Sequence, residues 1–309
     1  MINAIAILAG VLIIAPSLIW LERRLLALVQ DRYGPNRVGP FGLGQVIADA
    51  LKMFMKEDWV PPFADKPVFI LAPALAMMTT LLSFALVPVA PGLVVFDSSV
   101  GLLLFLAISS LGAYSIVLAG WASNNKYSLL GALRGSAQML SYEVFMALSL
   151  MGVVVMTGSF RFTDIVEAQK SIWNIIPQFV GFVIFFIAAL AETHRLPFDL
   201  PEAESELIAG FHSEYSGLKF GMFFVAEYIG ITLMSAMMVL LFFGGWHGPW
   251  LPPALWFVIK TYILISVFII LRGALPRPRY DQLLTFGWKY LLPLSLLNLI
   301  ITSGIIILC

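Results

Sequence analysis

Charge is what this sequence has least of. Only 12% of its 309 residues are Asp, Glu, Lys or Arg, about half the share of a soluble domain. With 60% apolar residues and a mean hydropathy of +0.94, a soluble globular fold is excluded and an integral membrane protein is indicated. Thiol and imidazole are scarce as well. One cysteine, Cys309, and three histidines, His194, His212 and His247, form no CxxC, no cysteine cluster and no His pair at ligand spacing. The chain is therefore not expected to hold an iron–sulfur cluster, a haem or a structural zinc. A di-iron site would need Glu-x-x-His pairs, and "ETH" at 192–194 has the wrong spacing. No phosphate-binding loop is present either. Residues 2–20 are too long for a signal-peptide core and follow no basic segment, so no cleavable leader is expected.

What the sequence does have is oil in regular lengths. Windows of about 20 apolar residues, enough to cross a ~30 Å hydrocarbon core, fall at 2–20, 67–89, 100–121, 136–157, 172–191, 219–243, 253–272 and 289–308. Taken with the helix ends beside them, the loops after spans 1, 3, 5 and 7 hold 7, 2, 2 and 4 Lys/Arg, and those after spans 2, 4 and 6 hold 0, 2 and 0. The positive-inside rule makes the odd loops cytoplasmic (or matrix) and puts both termini on the opposite side. The expected fold is an all-α integral membrane protein of eight transmembrane helices, one transmembrane domain over residues 1–309. Neither a low-complexity tract nor an internal repeat is visible, and the inverted repeats of a secondary transporter are missing.

The first cytoplasmic loop is long. Leu21, Leu25, Leu28 and Val29 keep a helical spacing that carries span 1 out of the bilayer, until "GPNRVGP" breaks it. Beyond it, "GQVIADALKMFMKEDW" sets Val46, Ile47, Ala50, Leu51 and Phe54 on one face and Asp49, Lys52, Lys56 and Glu57 on the other. That pattern predicts an amphipathic helix lying on the membrane surface or against a partner.

Ionisable residues inside spans are read as functional by default. Counting 1.5 Å per residue, Glu143 lies roughly 10 Å and Glu227 about 12 Å below the cytoplasmic surface. Glu192 closes span 5 at that surface, and Lys260 lies about 10 Å from the opposite face. By depth they sketch a descent from Glu192 through Glu143 and Glu227 to Lys260. Such buried carboxyls suit a proton relay; the alternative is that each makes a structural ion pair or an interhelical hydrogen bond. The stretch "ETHRLPFDLPEAESELIAGFHSEY" gathers six of the chain's 18 acids, Glu192, Asp199, Glu202, Glu204, Glu206 and Glu214, into 24 residues. Pro197, Phe198, Leu200 and Pro201 interleave them, so the stretch is expected to be packed rather than a loose solvated loop. Arg195 is expected to hold Glu192 and Asp199 through charge-assisted hydrogen bonds. The arginines of the same side, Arg23, Arg24, Arg32, Arg37, Arg134, Arg195, Arg272, Arg277 and Arg279, serve topology and lipid headgroups, or line a polar cavity.

Six motifs now stand in order along the chain: "ERRLLALVQDRYGPNRVGPFGLGQ", "ADALKMFMKEDW", "GWASNNKYSLLGALRGSAQMLSYEV", "AETHRLPFDLPEAESELIAGFHSEYSG", "FFVAEYIG" and "LPRPRYDQLL". Together they resemble the quinone-site membrane subunit of complex I, the proton-pumping NADH:quinone oxidoreductase, known as the H subunit in bacteria and as subunit 1 in mitochondria. The resemblance runs from about residue 20 to about residue 295. It implies an enzyme subunit with no redox centre and no metal of its own, the FMN and iron–sulfur clusters residing in partner subunits, and quinone as substrate. It maps the quinone chamber and its entry onto Arg23, Arg24, Arg32, Asp49, Lys52, Arg195, Phe224, Tyr228, Arg272 and Arg279. It maps a proton-conducting carboxylate channel onto Glu143, Glu192, Asp199, Glu202, Glu204, Glu206, Glu214 and Glu227, and gives His194 and His212 no role. The implied partners are the other membrane and peripheral subunits, quinone and phospholipid, with no nucleic acid. The implied location is a bacterial plasma membrane, or else the mitochondrial inner membrane. Two other readings stay open here: the homologous anchor of a membrane-bound hydrogenase or related complex, and a stand-alone proton-coupled transporter.

Overall fold

The structure, a computed structural model, describes residues 2–308 apart from the side chains of Ile2, Glu204 and Ser205. In chain order the helices are α1 (Ile2–Val29), α2 (Gly44–Met55), α3 (Lys66–Phe84), α4 (Gly101–Ala122), α5 (Lys126–Thr157), α6 (Phe162–Ala168), α7 (Phe179–Glu192), α8 (Glu204–Leu207), α9 (Gly217–Phe242), α10 (Pro253–Ala274), α11 (Tyr280–Phe286) and α12 (Leu292–Leu308). A π-helical turn, Gly287–Leu291, fuses α11 to α12. Seven helices are long and apolar enough to cross a membrane: α1, α3, α4, α5, α9, α10 and the continuous run Tyr280–Leu308.

The expected fifth span is the exception. Its helix, α7, has 14 residues, about 21 Å at 1.5 Å per residue. Residues 171–178 ahead of it wind as turns, because Pro177 has no N–H to give a helix. Side-chain amides tie this region to α9 and α12. Gln169 donates to Leu240 O at 2.7 Å and accepts from the Gly244 N–H at 2.9 Å, while Asn174 donates to Leu241 O at 2.9 Å. Gln178 donates to Thr302 Oγ1 at 2.7 Å and accepts from Asn298 Nδ2 at 2.9 Å. These amides close the end of the bundle remote from Glu192.

The axis of the bundle is α9. It touches α1, α2, α3, α6, α7 and α10, and every residue from Ile231 to Phe242 is buried. A helix apolar on all sides is one enclosed on all sides. Its other end is tied down by charge: Lys219 pairs with Asp58 at 2.6 Å, joining α9 to the segment after α2. Helix α2 forms where the periodicity puts it and has no buried residue; Ile47, Leu51, Phe54 and Met55 are exposed.

Helix α5 positions the acidic stretch. Asn125 caps its start, accepting the Tyr127 N–H at 3.0 Å, and Gly158 ends it in the left-handed conformation at φ 69°. In its first turns the stretch 199–211 lies directly on the helix. A Cβ at Gly131 would sit 2.7 Å from Pro201 O and 2.8 Å from Gly210 Cα, so only glycine allows the approach. Gly210 itself has φ +55°, and a side chain there would run into the Pro201 carbonyl. Gly210→Ala should therefore expel the stretch from α5, as backbone strain and overlap combine. The expected outcome is loss of assembled complex on native gels of the membranes, with Gly92→Ala, which meets open space, as the milder comparison at a positive-φ site.

Candidate functional site

The acidic stretch is folded inward. Gln138, on α5, donates from Nε2 to Ala191 O at 2.7 Å and to Phe198 O at 2.8 Å, so one amide holds both ends of the bend. Glu192, Thr193, His194, Arg195 and Asp199 are all buried, which agrees with the proline-and-apolar spacing.

Around this bend the charges line up. Arg277 bonds Asp199 at 2.8 Å. Asp199 and Glu227 both interact with Glu202 through their side chains. Glu227 faces Arg195 at 3.6 Å, and Arg195 faces Glu22 at 3.7 Å. Glu22 is in turn bonded by Arg272. The line Arg277, Asp199, Glu202, Glu227, Arg195, Glu22, Arg272 thus crosses from α11's approach through the bend and α9 to α1 and α10. Arg195 is 8% exposed at its side chain, and its guanidinium lies 4.5 Å from the centre of the Tyr228 ring, a cation–π contact. Tyr228 packs edge-on against Phe224 at 5.0 Å.

Three carboxyls this close cannot all ionise. Burial, together with Glu202, pushes Asp199 up to about 7 against the pull of Arg277. For Glu202 burial acts upward too, but His212, Glu227, Arg195 and His194 together hold it below the usual carboxylate range. Near neutral pH Asp199 is therefore partly protonated while Glu202 stays ionised. Burial lowers His194 to about 4 despite Glu202, so its imidazole is neutral. A second pair of carboxyls stands beside the first: Glu143 is the acidic neighbour of Glu192, and Glu143 Oε1 and Glu192 Oε2 have no hydrogen-bond partner among the described residues. No three His, Cys, Asp or Glu among the described residues come together as metal ligands do.

Comparison with known proteins adds the family. The model of the NADH dehydrogenase family matches residues 2–303. The H subunit of the NADH-quinone oxidoreductase of Methylococcus capsulatus is 63% identical over 302 residues, covering 97% of this chain and 96% of that one. The chain belongs to the NADH dehydrogenase family. It is a homologue of that bacterial protein over nearly its whole length, as the six motifs lead one to expect.

For this family member the structure sorts the residues expected at the site. Arg195 and Arg272 meet at Glu22, and Tyr228, packed against Phe224, covers the Arg195 guanidinium. Arg23 pairs with Asp49 at 2.7 Å, joining α1 to α2, and Arg24 lies 5.6 Å from the Trp20 ring. Arg32 and Lys52 are exposed, and Arg279 pairs at 3.2 Å with exposed Asp281. Of the acids, Glu143, Glu192, Asp199, Glu202 and Glu227 gather in the interior. Glu206 pairs with Arg134 at 2.6 Å at the surface, and Glu214 accepts from Asn125 at 2.7 Å. The Glu204 side chain lies outside the described residues.

Two expectations are corrected. Arg195 turns away from Glu192 and Asp199 to Glu22 and Glu227, because the bend points it into the space between α1 and α9. Lys260 belongs to no descent of charges: its Nζ donates to Phe243, Gly245 and His247 carbonyls at 2.8, 3.1 and 2.6 Å, capping the α9 C-terminus. That end is 16 residues from Glu227, about 24 Å. Sequence reasoning missed Glu22 and gave Arg277 no specific partner. The only sequence signal for Glu22 is an acid set directly before two arginines where span 1 leaves the bilayer.

The raised Asp199 carboxyl gives a direct readout. A proton held in the fold from 3.8 to about 7 contributes stability fully present below 3.8 and lost as pH rises through about 7. Infrared difference titration of the assembled complex should show a protonated carboxyl band fading with a midpoint near 7, absent in Asp199→Asn. Arg277→Leu removes the cation that lowers it, so the midpoint should move up.

Proposed function

We propose that the chain is the membrane subunit of a proton-translocating NADH-quinone oxidoreductase, forming part of the quinone chamber and passing protons inward from it. The observation that carries this reading is buried Arg195 between Glu22 and Glu227, which ties the arginine-rich end of α1 to the interior carboxyls. Homology to the Methylococcus capsulatus protein supports the assignment to the complex. In this reading α7 with its turn-wound approach completes an eighth crossing, both termini lie on the non-cytoplasmic side of a bacterial plasma membrane, and α2 rests its exposed apolar face on the membrane surface.

The chemistry follows from the quinone. Two electrons delivered from clusters in the peripheral subunits, which also hold the FMN, turn a quinone into a quinol only when two protons are added. The reduced headgroup, before its protons arrive, is an anion. Beside Arg272 and Arg195 such a charge competes with Glu22 and Glu227 for the same guanidinium groups, since opposite charges a few ångström apart interact strongly away from water. A carboxylate that loses its cation takes up a proton more readily. Charge in the chamber thereby sets protonation at Glu227, Glu202 and Asp199, with Glu192 and Glu143 the next acceptors inward. Tyr228 and Phe224 supply an apolar wall for the quinone.

A neutral amide keeps hydrogen bonds and ends proton exchange. Glu143→Gln and Glu192→Gln should therefore assemble, as judged by NADH oxidation with an artificial acceptor, yet lose quinone-linked oxidation and dye-detected proton uptake by roughly 10²-fold or more, the size of a lost general acid–base step. Asp at either position should retain more. Full turnover and pumping in both Gln variants would remove the carboxylate route. For topology, cysteines at exposed Asn124 and Gln282 should react with an impermeant thiol reagent from the cytoplasmic side only, and one at Ser99 from the other side only. Labelling of Ser99 and Gln282 from the same side would contradict eight crossings.

A further inference from the structure

A cavity of ≈ 140 Å³ lies between α1, α9 and α10. It runs along the helices: α1 lines it from Ala6 to Ile14 and α10 from Phe257 to Ile265, about 12 Å of each. Thr232 and Ala236 of α9, with Phe84 of α3, close its inner side. Its rim reaches the surface of the bundle, where Ala6 is exposed and Gly10 and Val258 are half-buried. Gly10 stands 12 residues before Glu22 in α1, about 18 Å along the helix, so the cavity belongs to the half of the bundle away from the charged line.

The space is held open by what surrounds it. Beyond one end Asn3 donates to Gly92 O at 2.9 Å and Val94 O at 3.3 Å, and beyond the other Ser17 Oγ lies 3.0 Å from the Tyr262 hydroxyl. Helix α1 is thus tied to its neighbours on both sides of the gap. Pro16 gives no N–H to Leu12 O, which loosens α1 in between. At Gly10 a Cβ would meet nothing within 4 Å.

Water has little to hold it there. Thr232 donates to Tyr228 O at 2.9 Å and Thr261 to Phe257 O at 2.8 Å. Ser17 donates to Ile14 O at 2.7 Å, so the Tyr262 hydroxyl donates to Ser17. Each hydroxyl on the wall has spent its proton, and the other side chains around the space are apolar. A buried water needs two to four polar partners, whereas an apolar cavity of about this size stays dry and takes up apolar molecules. Left empty, its walls forgo their contacts on one side.

We propose that this cavity seats one acyl chain of a phospholipid from the leaflet opposite the acid-lined end. Wedged between α1 and α10, the chain supports the two helices whose other ends meet as Glu22 and Arg272. The medium around membrane-spanning helices is itself hydrocarbon, as apolar as leucine, so the occupant enters past Ala6 without crossing water. A straight chain suits a gap that runs along two helices. The methyl-branched tail of a quinone is wider, and the arginines and α2 of the chamber stand at the other end of α1.

Photolabelling of the whole complex in its native membranes tests the site, and it stands whether or not the chamber and the carboxylate route hold. A phospholipid with a diazirine midway along one acyl chain should label buried Val11 and Phe257 as well as exposed Leu8 and Leu12, read by mass spectrometry of the digested subunit. Gly10→Leu puts a hydrocarbon side chain into the space. Since close packing then leaves no room for a second occupant, labelling at Val11 and Phe257 should fall about fivefold or more while Leu8 and Leu12 are unchanged. Carrying its own filler, the variant should also keep at least about twice the wild-type share of quinone-linked activity when detergent strips lipid from the purified complex, because a bound chain stabilises only while it is present. Absence of label at Val11 and Phe257, label there undiminished by Gly10→Leu, or stronger label there from a quinone with the diazirine in its tail would each overturn the acyl-chain site. Equal losses on stripping would overturn the support it gives α1 and α10. If Gly10→Leu does not assemble, Ala6→Phe, which blocks the exposed rim, takes its place in both measurements.

Discussion

An arginine sealed inside a membrane protein constrains everything around it. Ions taken from water lose several kcal/mol of solvation each, so Arg195 requires anions on the elements that enclose it. Glu22 from α1 and Glu227 from α9 meet that need, and the Tyr228 ring covers one face of the guanidinium. Removing both acids would leave the buried charge uncompensated, and breaking even a single buried pair costs about 3–5 kcal/mol. Two anions on one cation also leave spare negative charge, and Arg272 bonds Glu22 on its other side. The bend from Glu192 to Pro201, the tilt of α1 toward α10 and the entry of α9 are thereby tied to one another by electrostatics rather than by shape alone.

The packing that holds this arrangement is made where side chains are small. Gly131 and Gly210 bring the acidic stretch flat against α5, and Gln138 fastens the bend with two bonds from one amide. On its other flank α5 meets α11, where Tyr142 donates to Leu283 O at 3.1 Å, and the π-helical turn at Gly287–Leu291, where Phe145 meets Trp288 edge-on at 5.6 Å. Tyr142 and Phe145 flank Glu143 in sequence. Glu143 is thus carried on a stretch of helix fixed from two sides, beside a kind of helical irregularity that recurs at functional sites.

How much of this could be read beforehand follows from the range of each interaction. Seven of the spans, the continuation of α1 past its apolar window and the helix α2 are local patterns, and all of them appear at nearly the expected positions. Glu143, Glu192 and Glu227 were legible because an acid within oil is conspicuous. The partners were not. Arg272 and Glu22 are 250 residues apart, and nothing in hydropathy says which of nine arginines faces which acid. Near neighbours in sequence misled for Arg195, since a bend reverses direction within a few residues. The late start of α7 escaped for the opposite reason: its sequence is apolar enough to cross, and the amides that tie the turns ahead of it to α9 and α12 look, in sequence, like ordinary polar residues at a helix start.

Those amides divide the molecule into two materials. Gln169, Asn174 and Gln178 hydrogen-bond as well as carboxyls do, but an amide neither gains nor loses a proton in water's working range, and Lys260 beside them has its ammonium turned wholly onto carbonyls. Between Glu227 and the end remote from Glu192 the buried run Ile231–Phe242 of α9 carries no ionisable side chain, so a carboxylate route of the kind proposed would have to leave the acid-lined half sideways, toward the helices alongside, and not down the bundle axis.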